Sequence, residues 1–208
     1  MKDGTGQGRT GAAAQSERKA RAMIRQEPLV APACAWRIVP VRGIRGETLD
    51  LDGVCLSIPA FAAQRDKLKA VAAAACTLGP ALEARITELF RSRQPSLALA
   101  LDGIGTEKLF RLADQVCARI QREAKRTGLE MGNEINPGDA GLGLEAQRHV
   151  LALAGAGHSG ISMTAQGMLS PVKSLSMLVA LGQGLKPRRA STRCLSCPSR
   201  DRCAIRPQ

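Results

Sequence analysis

The apolar positions of this chain change period several times. At 36–42 (WRIVPVR) and 48–59 (TLDLDGVCLSIP), apolar and polar residues alternate between glycine and proline punctuation, which predicts strands. In the second stretch Leu49 and Leu51 oppose Asp50 and Asp52. From Ala60 the period lengthens. Residues 61–76 (FAAQRDKLKAVAAAAC) suit a helix or a helix-to-strand passage that ends at TLGP. Pro80 can open a helix over 80–93, because proline is tolerated in a first turn, and Leu82, Ile86, Leu89 and Phe90 fall on one face. The longest periodic stretch, 96–128, carries Leu109, Leu112, Ala113, Val116 and Ile120 as one stripe, with Cys117 beside it. Ser96 or Thr106 is a candidate N-cap there, and Gly128 a fitting C-cap.

A loop is expected at 132–143, a short helix at 144–155 and a strand at 159–164. Residues 167–184 read as a loop followed by a strand or helix. Strands and helices that mix without strict βαβ alternation predict an α+β domain, with a mixed or antiparallel sheet and flanking helices. No internal repeat is visible. Residues 1–30, rich in Gly, Ala and charge, read as a basic, mostly disordered extension with a short helix over 16–26. The α+β domain is expected over 31–185, followed by a basic Cys-rich tail, 186–208.

Composition narrows the chemistry. Of 208 residues, 44% are hydrophobic but only 2% aromatic, so the core must be aliphatic and stacking platforms for bases are scarce. The net charge of +12 at first suggests an anionic partner. Most of it resides at the two ends, however, and basic tails are more often solvated than specific readers. No apolar run is long enough to cross a membrane. No apolar segment follows the charged start, so no secretory signal is read and a cytoplasmic location is expected. In that compartment the seven cysteines are core residues or metal ligands before they are disulfides.

Three of them form CLSCPSRDRC: Cys194, Cys197 and Cys203. Two thiolates at Cys-x2-Cys spacing can reach one metal, and a third five residues on completes most of a site. Arginines at 193, 200, 202 and 206 offset the thiolate charge. Zinc and an iron–sulfur cluster both fit, and both ordinarily take four ligands. Cys34 is the preferred fourth, ahead of Cys55, Cys76, His158 and a non-protein ligand. Cys55, Cys76 and Cys117 sit in apolar runs and are expected to be buried. His149 is expected on a helix surface.

Four segments, taken together and in order, resemble the activation domain of cobalamin-dependent methionine synthase, and most closely its short stand-alone relatives. They are TLGP (77–80), LALALDGIGTEKLFRLADQV (97–116), NPGD (136–139) with Gln147, and SMTAQGMLSPVKSLSMLVALG (162–182). The resemblance covers roughly 35–185. It implies a C-shaped α+β domain that binds S-adenosylmethionine and docks over a cobalamin held by a partner. An oxidised cobalt would then be restored by one electron and a methyl group.

The family motif Arg-x-x-Pro-Gly-Tyr falls on Glu134, Pro137, Gly138 and Asp139, so both the arginine and the tyrosine are replaced by acids. The arginine's planar fork would have paired with the ligand's carboxylate, which Glu134 repels. The resemblance makes Glu134, Asn136, Pro137, Gly138, Asp139, Pro171, Lys173 and Ser174 the candidate ligand-binding residues. For NPGD the plain alternative is a surface turn. For Lys173 it is a solvated side chain at a strand entry.

The leading expectation is therefore a reactivation or partner module for a corrinoid protein or cobalamin-dependent methyltransferase. A flavoprotein or ferredoxin would supply electrons. A second reading is a corrinoid-protein binding module without turnover, carrying a structural zinc or iron–sulfur tail. A third, a zinc-knuckle nucleic-acid binder, has the basic tails and CxxC in its favour and the missing aromatics against it.

Overall fold

The computed structural model describes residues 6–185. Its centre is a six-stranded sheet in the order β3-β2-β1-β4-β8-β5, in which every pairing is antiparallel. The strands are β1 (Ala33–Arg45), β2 (Thr48–Leu51), β3 (Val54–Ser57), β4 (Leu68–Thr77), β5 (Glu130–Ile135) and β8 (Ser174–Gly182). A two-stranded hairpin, β6 (Ser162–Met163) and β7 (Leu169–Ser170), stands outside the main sheet. The helices are α1 (Gly6–Gln26), α2 (Pro59–Ala62), α3 (Ala81–Arg91), α4 (Pro95–Arg126) and α5 (Gln147–Ala154). The expected α+β class, with an antiparallel sheet and flanking helices, is the one observed.

The sheet has a separate core on each face, and β4 shows why. Ala70, Ala72, Ala74 and Cys76 join a core with α1, α3 and α4. Val71, Ala73 and Ala75 join the other, with Leu49, Phe61, Val150 and Leu153. A central strand buried on both sides needs no polar residues. It therefore reads as an unbroken apolar run, and alanine's helix propensity pulls the sequence reading of 61–76 toward helix. Of that stretch only Phe61 and Ala62, the end of α2, are helical. β8 alternates in the same way, with Met177, Val179 and Leu181 toward one core and Leu178 and Ala180 toward the other.

Four local expectations change. Residues 130–135 form a strand rather than the start of a loop, with a register shift between Met131 and Glu134 on the β8 edge. That irregularity sends Met131 and Ile135 to opposite cores, so no alternation of period two is left to read. Helix α1 is longer than the 16–26 stretch. It packs on α4 through the buried Ala20 and an Arg21–Glu107 ion pair of 3.5 Å. Cys55, expected in the core, is exposed, because β3 is an edge strand that turns Leu56 inward. Cys76 and Cys117 are buried as expected. Helix α4 starts at Pro95, with Gln94 as N-cap residue and no side-chain cap, so neither Ser96 nor Thr106 caps it. Among the described residues no helix is long and apolar enough to cross a membrane.

Candidate functional site

Asn136–Asp139 follow β5 directly and close on themselves. Both the backbone N–H and the Nδ2 of Asn136 donate to Asp139 Oδ2, each at 2.8 Å. The Asp139 N–H returns a bond to the Asn136 carbonyl at 2.9 Å. Gly138 has φ +96°, a conformation that side chains rarely adopt. Its N–H donates to the Leu142 carbonyl at 2.8 Å. Asp139 is thus the residue that locks the turn. Asn136 Oδ1 is shielded from solvent and takes no hydrogen bond among the described residues.

Glu134 lies on the other face of the sheet. The Cys117 thiol of α4 approaches its Oε2 at 3.7 Å. Its neighbour across β8 is Val179, a member of the helical core. Glu134 and Asp139, the first and last positions of the motif, are therefore held by different surroundings.

The second candidate segment leads from the β6–β7 hairpin into β8. The hairpin tip is closed by Thr164, whose N–H donates to the Met168 carbonyl at 2.8 Å and whose Oγ1 accepts from the Met168 N–H at 3.2 Å. Pro171 is buried. The exposed Val172 is tied to α3 through its N–H, which donates to Glu83 Oε2 at 2.9 Å. Lys173 turns inward: only 8% exposed, its ammonium donates to Thr106 Oγ1 and pairs with Asp102 Oδ1, both at 2.8 Å. The Ser174 hydroxyl donates to Thr77 Oγ1 at 2.8 Å. Lys173 and Ser174 thus fasten the start of β8 to α4 and β4. Beyond them the buried Gln147 of α5 donates from Nε2 to Ser176 Oγ, tying α5 to the same strand.

Leu144 joins the two segments. A side chain at Gly138 would lie 3.9 Å from Leu144 Cδ1, and one at Gly167 would lie 3.5 Å from Leu144 Cγ. The turn, Leu144 and the hairpin tip therefore share one surface. On it an open cleft of about 220 Å³ is lined by Leu144, Glu145, Arg148, Met163, Gln166 and Gly167, with Ala165 completing it. Leu144, Met163, Met168 and Val172 are four of the exposed large apolar residues, and all belong to this part of the chain. None of the cleft residues is among the eight ligand-binding candidates, although Met163, Ala165, Gln166 and Gly167 lie in the resembling segment 162–182. The available signal was a glycine-rich loop followed by an acid and a base three residues apart at a helix start.

Of the proposed metal ligands only Cys34 lies within 6–185. Cys194, Cys197 and Cys203 lie outside the described residues. Cys34 is half-buried in β1, in register with Cys76, and the Arg119 guanidinium approaches its sulfur at 3.8 Å. Among the described residues no group of three or more potential ligands converges as a metal site. His149 and His158 are both exposed.

No family model matches the sequence, and no curated protein matches it. Among solved structures, the chain is similar to a crystal structure of the MetH reactivation domain bound to AdoHcy. The TM-score is 0.60 at 14% identity, over 86% of this chain and 68% of that one. The likeness is one of fold: an antiparallel sheet with flanking helices, as in the MetH reactivation domain.

Proposed function

We propose that this chain is a reactivation or partner module for a cobalamin-dependent methyltransferase. One observation carries the reading. The two loops singled out by their resemblance to the methionine synthase activation domain, 136–139 and 162–174, converge through Leu144 on one cleft-bearing surface. A fold shared with a domain that binds AdoHcy supports the same reading.

The module would dock over cobalamin carried by a corrinoid protein and hold an S-adenosylmethionine-class ligand in the cleft. The partner's cobalamin would supply the methyl acceptor, with one electron from an external flavoprotein or ferredoxin and the methyl group from S-adenosylmethionine, which would leave as S-adenosylhomocysteine. The chain's own contribution is binding and orientation: no acid–base pair in the cleft is required for that transfer.

The tail cysteines Cys194, Cys197 and Cys203, with Cys34 as fourth ligand, are proposed to hold zinc or an iron–sulfur cluster. The test is docking. Sedimentation of the protein with a cobalamin-loaded methionine synthase fragment should show a complex. Free migration at tens of micromolar of each would contradict the reading.

A second reading, a binding module without turnover, is favoured by one feature. Asp139, which stands where the family motif has tyrosine, is consumed in closing its own turn. Docking without methyl transfer would select it.

A further inference from the structure

The cleft presents a separated pair of opposite charges. Glu145 and Arg148 both line it, three residues apart where the single turn Leu144–Ala146 runs into α5. Residues at this spacing occupy the same side of a helical turn. No ion pair joins these two, and among the described residues no side chain pairs with the Arg148 guanidinium. Gly143 leaves the space in which the Glu145 carboxylate lies, since a side chain at 143 would collide with it. Between and beside the charges are apolar walls, Leu144 and Met163, together with the Gln166 amide. A partnered surface arginine would have its fork occupied. This one is exposed, faces a cleft, and keeps five donors in a rigid plane.

We infer that Arg148 is the residue that holds the ligand's carboxylate, with Glu145 facing its cationic part. The inference rests on the reading of the cleft as an S-adenosylmethionine-class site and deepens it. Such a ligand carries a carboxylate, an ammonium and an apolar thioether or sulfonium chain, and the cleft offers a counterpart to each. The motif arginine is replaced by Glu134, which lies against Cys117 on the opposite face. Arg148 supplies a guanidinium from a different element, α5. The aliphatic residues around it raise the value of the charge-assisted fork by excluding water from one side.

Calorimetric titration tests this with two probes, S-adenosylhomocysteine and 5′-methylthioadenosine, which shares the nucleoside and sulfur but lacks the carboxylate and ammonium. For S-adenosylhomocysteine, Arg148→Ala should weaken binding by about tenfold to a hundredfold, the usual worth of hydrogen bonds to a charged group. Arg148→Lys should recover part of the loss, because it keeps the charge and loses the fork. The affinity for methylthioadenosine should be the same in wild type and Arg148→Ala. If wild type binds S-adenosylhomocysteine and Arg148→Ala binds it equally well, the assignment of Arg148 fails while the ligand reading stands. Equal weakening of both probes also overturns the carboxylate role. If wild type binds neither probe at millimolar concentration, the ligand reading itself falls.

Discussion

At Lys173 a side chain expected to meet a ligand is instead engaged by its own fold. Its ammonium, 10% exposed, is neutralised by Asp102, whose carboxylate is 46% exposed, and is shared with Thr106. Removing the acid leaves a shielded cation with one neutral partner, so Asp102→Ala should destabilise by about 1–3 kcal/mol. Lys173→Met removes the shielded charge and keeps the volume, while Asp102 turns to water. That change should cost less than Asp102→Ala, or nothing. Urea denaturation of the two variants gives the order, and an unperturbed Asp102→Ala would show that the pair carries no load. The sequence marked Lys173 and Ser174 as distinctive. It had no means of showing which way they face, because that depends on α4 passing beside β8. Arg148 escaped notice for the converse reason: an arginine on a short amphipathic helix looks like any solvated charge until the hairpin beside it is in place.

Helix α4 shows how much an element's neighbours decide. Its stripe and its length were readable, because 32 residues of period 3.6 leave little ambiguity. Its two glycines were not distinguishable. A side chain at Gly103 meets nothing within 4 Å, whereas one at Gly105 would stand 2.6 Å from Leu82 Cδ2 and 3.4 Å from Lys173 Cε. Gly103→Ala should therefore stabilise by about 0.5–1 kcal/mol through helix propensity alone. Gly105→Ala must push the fully buried Leu82 of α3 aside and should destabilise by about 1–3 kcal/mol. Thermal melts of the two variants should move in opposite directions, and a shared direction would contradict this account of the α3–α4 contact. The strands were legible in proportion to their exposure. The half-exposed β2 alternates and was found, β4 is buried on both faces and was ambiguous, and the bulged β5 had lost its period.

At the scale of the whole molecule, the α+β class follows from the mixture of periods, and the two-core sheet from a central strand that is apolar and buried on both faces from Ala70 to Cys76. The surface proposed as functional emerges only at this scale. Residues 136–139, 144–148 and 162–172 are separated in sequence and meet around Leu144. The tail adds a separable expectation. Anaerobically purified protein should carry one zinc or one iron–sulfur cluster per chain, and Cys197→Ser should lose it. Retention of metal in Cys34→Ser, measured by elemental analysis and optical spectra, would remove Cys34 from the ligand set without touching the other three.

The central claim is tested most directly by following the cobalamin itself. A corrinoid methyltransferase in its cob(II)alamin state is mixed with S-adenosylmethionine and a titanium(III) reductant, with and without this protein, and its optical spectrum is recorded over time. The account predicts that methylcob(III)alamin and an equal amount of S-adenosylhomocysteine accumulate faster with the protein present, and that Arg148→Ala slows the gain. Identical rates with and without the protein, under conditions where sedimentation shows the two bound, would contradict reactivation and leave a docking module.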